Sequence, residues 1–225
     1  SALAYPGYVH QFTVDQSPFV GDAYLGGAWK RVLVGTTGAG GQGVFALDVT
    51  DPANFGPSNV LWDMDGATNG DLDLGVTLGR PIIARLNNGQ WAAVFGNGYN
   101  SSNGCAVLYI VGLSDAVITR INTGACGANG LSAPTLLDID QNRTIDYVYA
   151  GDLQGNLWKF DLSSANSTSW KVAYQSSGGT NLPLYKAVDG ANTPQPITTA
   201  PQLGPAPSSL GVGVMLYFGT GRLFA

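Results

Sequence analysis

The chain has 225 residues, a net charge of −5, 32 glycines, and no glutamate among its 15 acidic residues. Glycine at about twice its usual share, with turn-favouring aspartate in place of helix-favouring glutamate, describes strands and turns, in one all-β domain or two small ones. The acidic balance argues against nucleic acid, whose binding needs clustered Lys and Arg, and no apolar run approaches the roughly 20 residues of a membrane-spanning helix.

Taken in order, Tyr8–Val14 (YVHQFTV) reads as the last strand of a unit that began earlier. Two markers then recur. One is a proline followed by a short apolar strand: SPFVGDAY with Pro18, RPIIARL with Pro81, APTLLDID with Pro134 and, less clearly, APQLGP with Pro201. The other is an apolar strand ending in glycine: RVLVG at Gly35, AAVFG at Gly96, YVYAG at Gly151 and MLYFG at Gly219. After the first three glycines comes a third strand (GVFALDVTD, AVLYIVGLSD, NLWKFDLSS), whose Phe45, Tyr109 and Trp158 are expected to pack between repeats. A fourth follows each: VLWDMD, AVITRINT and WKVAYQSS.

The spacing predicts blades of four antiparallel strands at 15–65, 78–124 and 131–177, with a partial blade at 198–225. Such units describe a β-propeller. Burial of each blade on both faces explains strands that are apolar at consecutive positions, and the coils of a β-solenoid are shorter. Both ends look cut, so a fragment of a larger ring is expected. Gly66–Gly75 and Ser176–Thr199 are predicted as irregular loops on one rim.

The turn between the first two strands of the third unit departs from the repeat. DIDQNRTID places Asp138, Asp140, Asn142, Thr144 and Asp146 at alternate positions. Oxygen-bearing side chains at that spacing suit a calcium-type cation, which takes six to eight oxygen ligands on a flexible loop. Two departures from an EF-hand are plain. Arg143 stands where the sharp turn wants glycine, and Tyr149 stands where a bidentate glutamate would be. The alternative is an Asp/Asn-rich surface turn. The equivalent turn of the second unit, LNNGQW around Asn87, Asn88 and Gly89, reads as an ordinary tight turn two residues shorter. The cluster Asp63, Asp65, Asp71 and Asp73 lacks sustained alternation and reads as a solvated loop.

Other chemistry is sparse. His10 is the one histidine, on a predicted strand, and no G-x-S-x-G is present. The single His and missing Glu remove the usual zinc sites. TTGAGGQG from Thr36 precedes a strand, so it is a turn and not a phosphate cradle. Cys105 and Cys126 both sit in Gly/Asn-rich turns. A Cys105–Cys126 disulfide would suit an exported protein, reduced thiols in the cytosol being the alternative.

DIDQNRTIDYVYAGDLQGNLWKFDL, together with VDQSPFVGDA, GGQGVFALDVTDP and WAAVFGNGYNS, closely resembles the C-terminal β-propeller domain of PilY1/PilC-type type IV pilus proteins, over most of the chain. The resemblance implies a modified, quinoprotein-like propeller with one Ca2+, held by the side chains of Asp138, Asp140, Asn142 and Asp146 and the backbone carbonyl of Thr144. It implies a non-enzymatic, exported protein at the pilus tip, cell surface or outer membrane. Its partners would be pilins or minor pilins and a host or abiotic surface, and it would affect pilus assembly, retraction, twitching motility and attachment. One rival is a propeller fragment of a periplasmic quinoprotein dehydrogenase. That enzyme needs a tryptophan docking motif on most blades, and Trp29, Trp62, Trp91, Trp158 and Trp170 do not recur at one position. Another is a scaffold in which calcium only staples a turn.

Overall fold

The computed structural model describes residues 7–9, 12–66, 70–207, 209 and 213–222. The first sheet consists of β1 (Phe19–Leu25), β2 (Ala28–Thr36), β3 (Gly43–Asp48) and β4 (Val60–Asp65), antiparallel in that order. The second consists of β5 (Ile82–Arg85), β6 (Trp91–Gly96), β7 (Cys105–Gly112) and β8 (Ile118–Cys126). The third is built from β9 (Thr135–Leu137), β10 (Tyr147–Gly151), β11 (Asn156–Asp161) and β12 (Lys171–Val172). Two short hairpins follow, β13 (Tyr174–Gln175) with β14 (Asn181–Leu182) and β16 (Gln202–Pro205) with β17 (Val214–Tyr217).

The three larger sheets pack face to face, and the strand period of two sorts their side chains. In the second sheet Ala93, Phe95, Val107, Tyr109 and Val111 meet Val32, Val34, Val44 and Ala46 of the first. The intervening residues Ala92, Val94, Ala106, Leu108 and Ile110 meet Val148, Ala150, Trp158 and Phe160 of the third. All eight residues of β7 are buried, which is why its sequence carries no polar alternation. Tyr109 and Trp158 thus pack between sheets. Phe45 does not: it is half-buried on the opposite face from Val44 and Ala46, its ring lying over Gly35. Trp29 and Trp91 each lie where a second strand opens, and their rings meet edge to face at 5.8 Å.

The fourth strand of the third sheet also differs from expectation. WKVAYQSS is not one strand. Lys171–Val172 pairs with the end of β11, while its beginning pairs with β15 (Tyr185–Lys186). Residues 176–199 are therefore no plain loop. They return to the sheet because Ala187 and Ile197 bury against Leu157, and Leu184 donates its amide to the Leu157 carbonyl at 2.8 Å. His10 and Gln11 lie outside the described residues, and Phe12–Val14 are not in a strand.

The glycines that close second strands have a packing reason. A Cβ at Gly96 would lie 2.1 Å from the Ser132 carbonyl oxygen, and one at Gly151 would lie 2.3 Å from Ile197. The residue after each glycine is fully buried and polar: Thr36, Asn97 and Asp152. Asn97 accepts the Val107 and Leu131 amides and donates to the Asp73 and Cys105 carbonyls. Cys105 and Cys126 face each other across β7 and β8 and form a disulfide. Closing a loop with a sequence separation of 21 residues is worth about 3 kcal/mol in the chain-entropy account.

Candidate metal centre

The loop between β9 and β10 is held at its neck by the strand pair. Asp146 donates its amide to the Leu137 carbonyl at 3.0 Å, and Leu162 donates to the Asp146 carbonyl at 2.7 Å. These bonds fix Asp146 at the inner end, where it is 5 % exposed. Its Oδ2 accepts the Ile139 amide at 2.9 Å. Asp138, half-buried, accepts the amides of Asn142 (3.1 Å) and Arg143 (2.7 Å) on its two oxygens. Exposed Asp140 accepts from the Asn142 amide (3.1 Å) and carboxamide (2.9 Å). Asn142 Oδ1 accepts the Thr144 amide at 2.8 Å. The five residues singled out by spacing are thus joined in one loop.

The turn that glycine makes in an EF-hand is made by Arg143 itself, at φ 70°, with Gln141 at φ 62°. The left-handed region costs an L-residue about 1–2 kcal/mol, and side-chain bulk at Cβ raises that. Arg143 already bears that cost, so the β-branched Arg143→Val, which adds to it, is expected to bind calcium more weakly than the wild-type chain, whereas Arg143→Gly, freed of it, binds at least as well. Titration calorimetry of the two variants is the check. Equal affinities would mean that the left-handed turn is not needed for binding.

One carboxylate oxygen from each of Asp138, Asp140 and Asp146 lies within 4.8 Å of the others. Among the described residues, the ion pairs are Lys30–Asp48, Arg31–Asp22 and Arg120–Asp71, none of them in this loop. Two like charges at 4 Å repel by about 1 kcal/mol in bulk water and about 4 kcal/mol near a protein surface. The donor set is all oxygen, hard and anionic, as a calcium-type ion requires. Tyr149, at the twelfth position, is buried in β10 and offers no carboxylate.

The second acidic cluster is built differently and is not simply solvated. Asp71 accepts from Tyr109 (2.9 Å) and Arg120 (2.6 Å), and Asp73 from Asn103 (2.7 Å). Burial pushes the Asp71 carboxyl up, but the bonds from Arg120, Tyr109 and the Asp73 amide outweigh it and hold the group below the usual carboxylate range. A charge already neutralised by Arg120 has little need of a cation.

The residue missed by sequence reading is Asn87. It sits in the turn between β5 and β6 of the second sheet, yet it reaches the loop of the third. Its Nδ2 faces the carbonyls of Ile145 (3.0 Å) and Leu162 (3.2 Å) and Asp146 Oδ1 (3.1 Å). Its Oδ1 faces the Thr144 hydroxyl at 2.8 Å. A signal was present, because Asn88 and Gly89 already make the turn. Asn88 Oδ1 accepts the Gln90 amide, and Gly89 takes φ 86°. Asn87 is thus surplus to it.

Successive four-stranded sheets packed face to face, with an oxygen-rich acidic loop at one strand connection, define a β-propeller with a candidate cation site. The chain matches the family described as the PilY1 beta-propeller domain over residues 1–225, and it belongs to that family. It is 45 % identical over 235 residues to a "Type IV pilus biogenesis factor PilY1 homolog" of Xylella fastidiosa, covering 99 % of this chain and 16 % of that protein. It is 47 % identical over 243 residues to the "Type IV pilus biogenesis factor PilY1" of Pseudomonas aeruginosa, covering 100 % and 20 %. The crystal structure of the Pseudomonas aeruginosa PilY1 C-terminal domain superposes with a TM-score of 0.83 at 44 % identity, covering 94 % of this chain and 45 % of that one. The chain therefore spans a fifth or less of the length of these two full-length relatives.

Proposed function

We propose that this chain is the calcium-responsive propeller of a type IV pilus biogenesis factor, and that occupancy of the Asp138–Asp146 loop biases the pilus between extension and retraction. The observation that carries the reading is the convergence of three carboxylates without an ion-pair partner among the described residues. A bound divalent cation would supply the charge that turns their mutual repulsion into shared attraction. Asp138, Asp140, Asn142 and Asp146 hold it by side chain and Thr144 by its carbonyl. A partner that recognises only the ordered loop then senses calcium. Export to the pilus tip, cell surface or outer membrane is supported by the disulfide, a bond that persists in oxidising compartments. Pilins or minor pilins and a host or abiotic surface are the proposed partners, with twitching motility and attachment as the outputs.

Calorimetric titration of the purified chain is expected to give one calcium site with Kd between about 10⁻⁷ and about 10⁻³ M. A chain that takes up no calcium would overturn the reading. Pilus retraction, followed in cells carrying the whole protein with and without calcium, separates regulation from stapling. If retraction is indifferent to calcium while the melting temperature responds, the ion only staples the turn.

A further inference from the structure

Asn87 connects the turn between β5 and β6 of the second sheet to the acidic loop of the third. Its four partners lie 57 to 75 residues away in sequence, and all belong to the acidic loop or to the chain just past β11. The orientation of its carboxamide is fixed by chemistry. Three acceptors, two of them carbonyl oxygens, face the nitrogen, and a hydroxyl faces the oxygen. Backbone contacts run beside it. The Ile145 amide donates to the Arg85 carbonyl at 3.0 Å, and Leu86 and Ile145 form a parallel bridge. The loop is thus tied to the second sheet along its inner side, and Asp146 is shared between the two. One of its oxygens is held by its own loop through Ile139 and the other by Asn87.

We propose that Asn87 is a positioning residue that couples cation binding at Asp138–Asp146 to the contact between the second and third sheets. The inference rests on the calcium reading above and goes beyond it: occupancy stiffens the joint between sheets as well as its own loop. Outer partners that orient a metal-binding carboxylate typically contribute ten- to a hundredfold to affinity. Linkage makes the effect reciprocal: the factor by which the Asn87 contact tightens calcium binding is the factor by which calcium tightens the contact.

The test compares the wild-type chain with Asn87→Ala and, as a control in the same turn, Asn88→Ala, whose side chain bonds only Gln90. Calcium affinity is measured by calorimetry, and amide hydrogen exchange is followed with and without calcium. Asn87→Ala is expected to bind calcium at least about tenfold more weakly, and Asn88→Ala as the wild type does. In the wild type, calcium is expected to slow exchange at the turn amides of Leu86 and Gly89 as well as in the loop. In Asn87→Ala, calcium protects the loop alone. A merely structural asparagine would lower protection equally with and without calcium. Should Asn87→Ala fail to fold, Asn87→Ser, too short to reach Asp146, takes its place with the same expectation. Wild-type affinity in the folded variant, or calcium-induced protection of the turn that survives the substitution, overturns the coupling alone. Absence of calcium uptake by the wild-type chain overturns the metal reading and the coupling together.

Discussion

Asp152→Ala is expected to cost at least about 4 kcal/mol, an exceptional loss of the kind that breaking a buried network can produce. Asp152 is fully buried, and its two oxygens accept five bonds. Oδ1 takes the amides of Gln154 and Asn156, each at 2.9 Å. Oδ2 takes the side chains of Asn129 (2.9 Å), Asn156 (2.8 Å) and Trp158 (2.9 Å). The carboxylate is paired with no cation among the described ion pairs, so its oxygens are satisfied by these donors. Truncation strands five donors, four of them in the interior, where each unsatisfied group costs about 1–3 kcal/mol. Relaxation and a trapped water recover part of that sum. Asn129 follows β8 and also accepts the Leu153 amide at 3.0 Å, so the loss also loosens the second sheet from the third. For a chain of this size a 4 kcal/mol loss lowers the melting temperature by about 8–16 °C. Asp22→Asn, at a half-exposed surface pair, is expected to change it by no more than the effect of about 1 kcal/mol. Thermal denaturation followed by circular dichroism decides, and a drop for Asp152→Ala no larger than that of the control would show that the network adds little.

The paired substitution Asp138→Asn with Asp140→Asn is expected to abolish measurable calcium binding while leaving the fold intact. Both side chains accept only from the loop's own Asn142 and Arg143, and an asparagine oxygen can keep part of that bonding. Two of the three charges disappear, so the metal-free variant melts no lower than the metal-free wild type. At a calcium concentration one hundred times Kd, the wild type gains about 2.7 kcal/mol, or about 5–11 °C. The variant gains none. Asp146→Ala is the less informative change, because it also leaves Asn87 and the Ile139 amide without their acceptor. Unchanged calcium heat in the doubly substituted chain would refute the site assignment.

Residues that act through their near neighbours were legible from the sequence. Asp138 through Asp146 alternate within nine positions, and a short connection between strands brings such residues together wherever the rest of the chain goes. The apolar runs ending at Gly35, Gly96 and Gly151 were readable as second strands for the same reason. The surplus asparagine in LNNGQW was visible but unassignable, since nothing within the turn says what an unneeded carboxamide faces.

The sequence by itself determined the first three strands of each larger sheet and the acidic loop, because hydrophobic period and ligand spacing are short-range properties. Only the tertiary structure decided that Tyr109 and Trp158 lie between sheets while Phe45 does not, that β15 completes the edge of β11, and that Asn87 and Asp152 join the second sheet to the third. These facts depend on which faces meet. The bonds concerned span 23 to 75 residues, and a hydrogen bond between distant segments leaves no periodic trace in either of them.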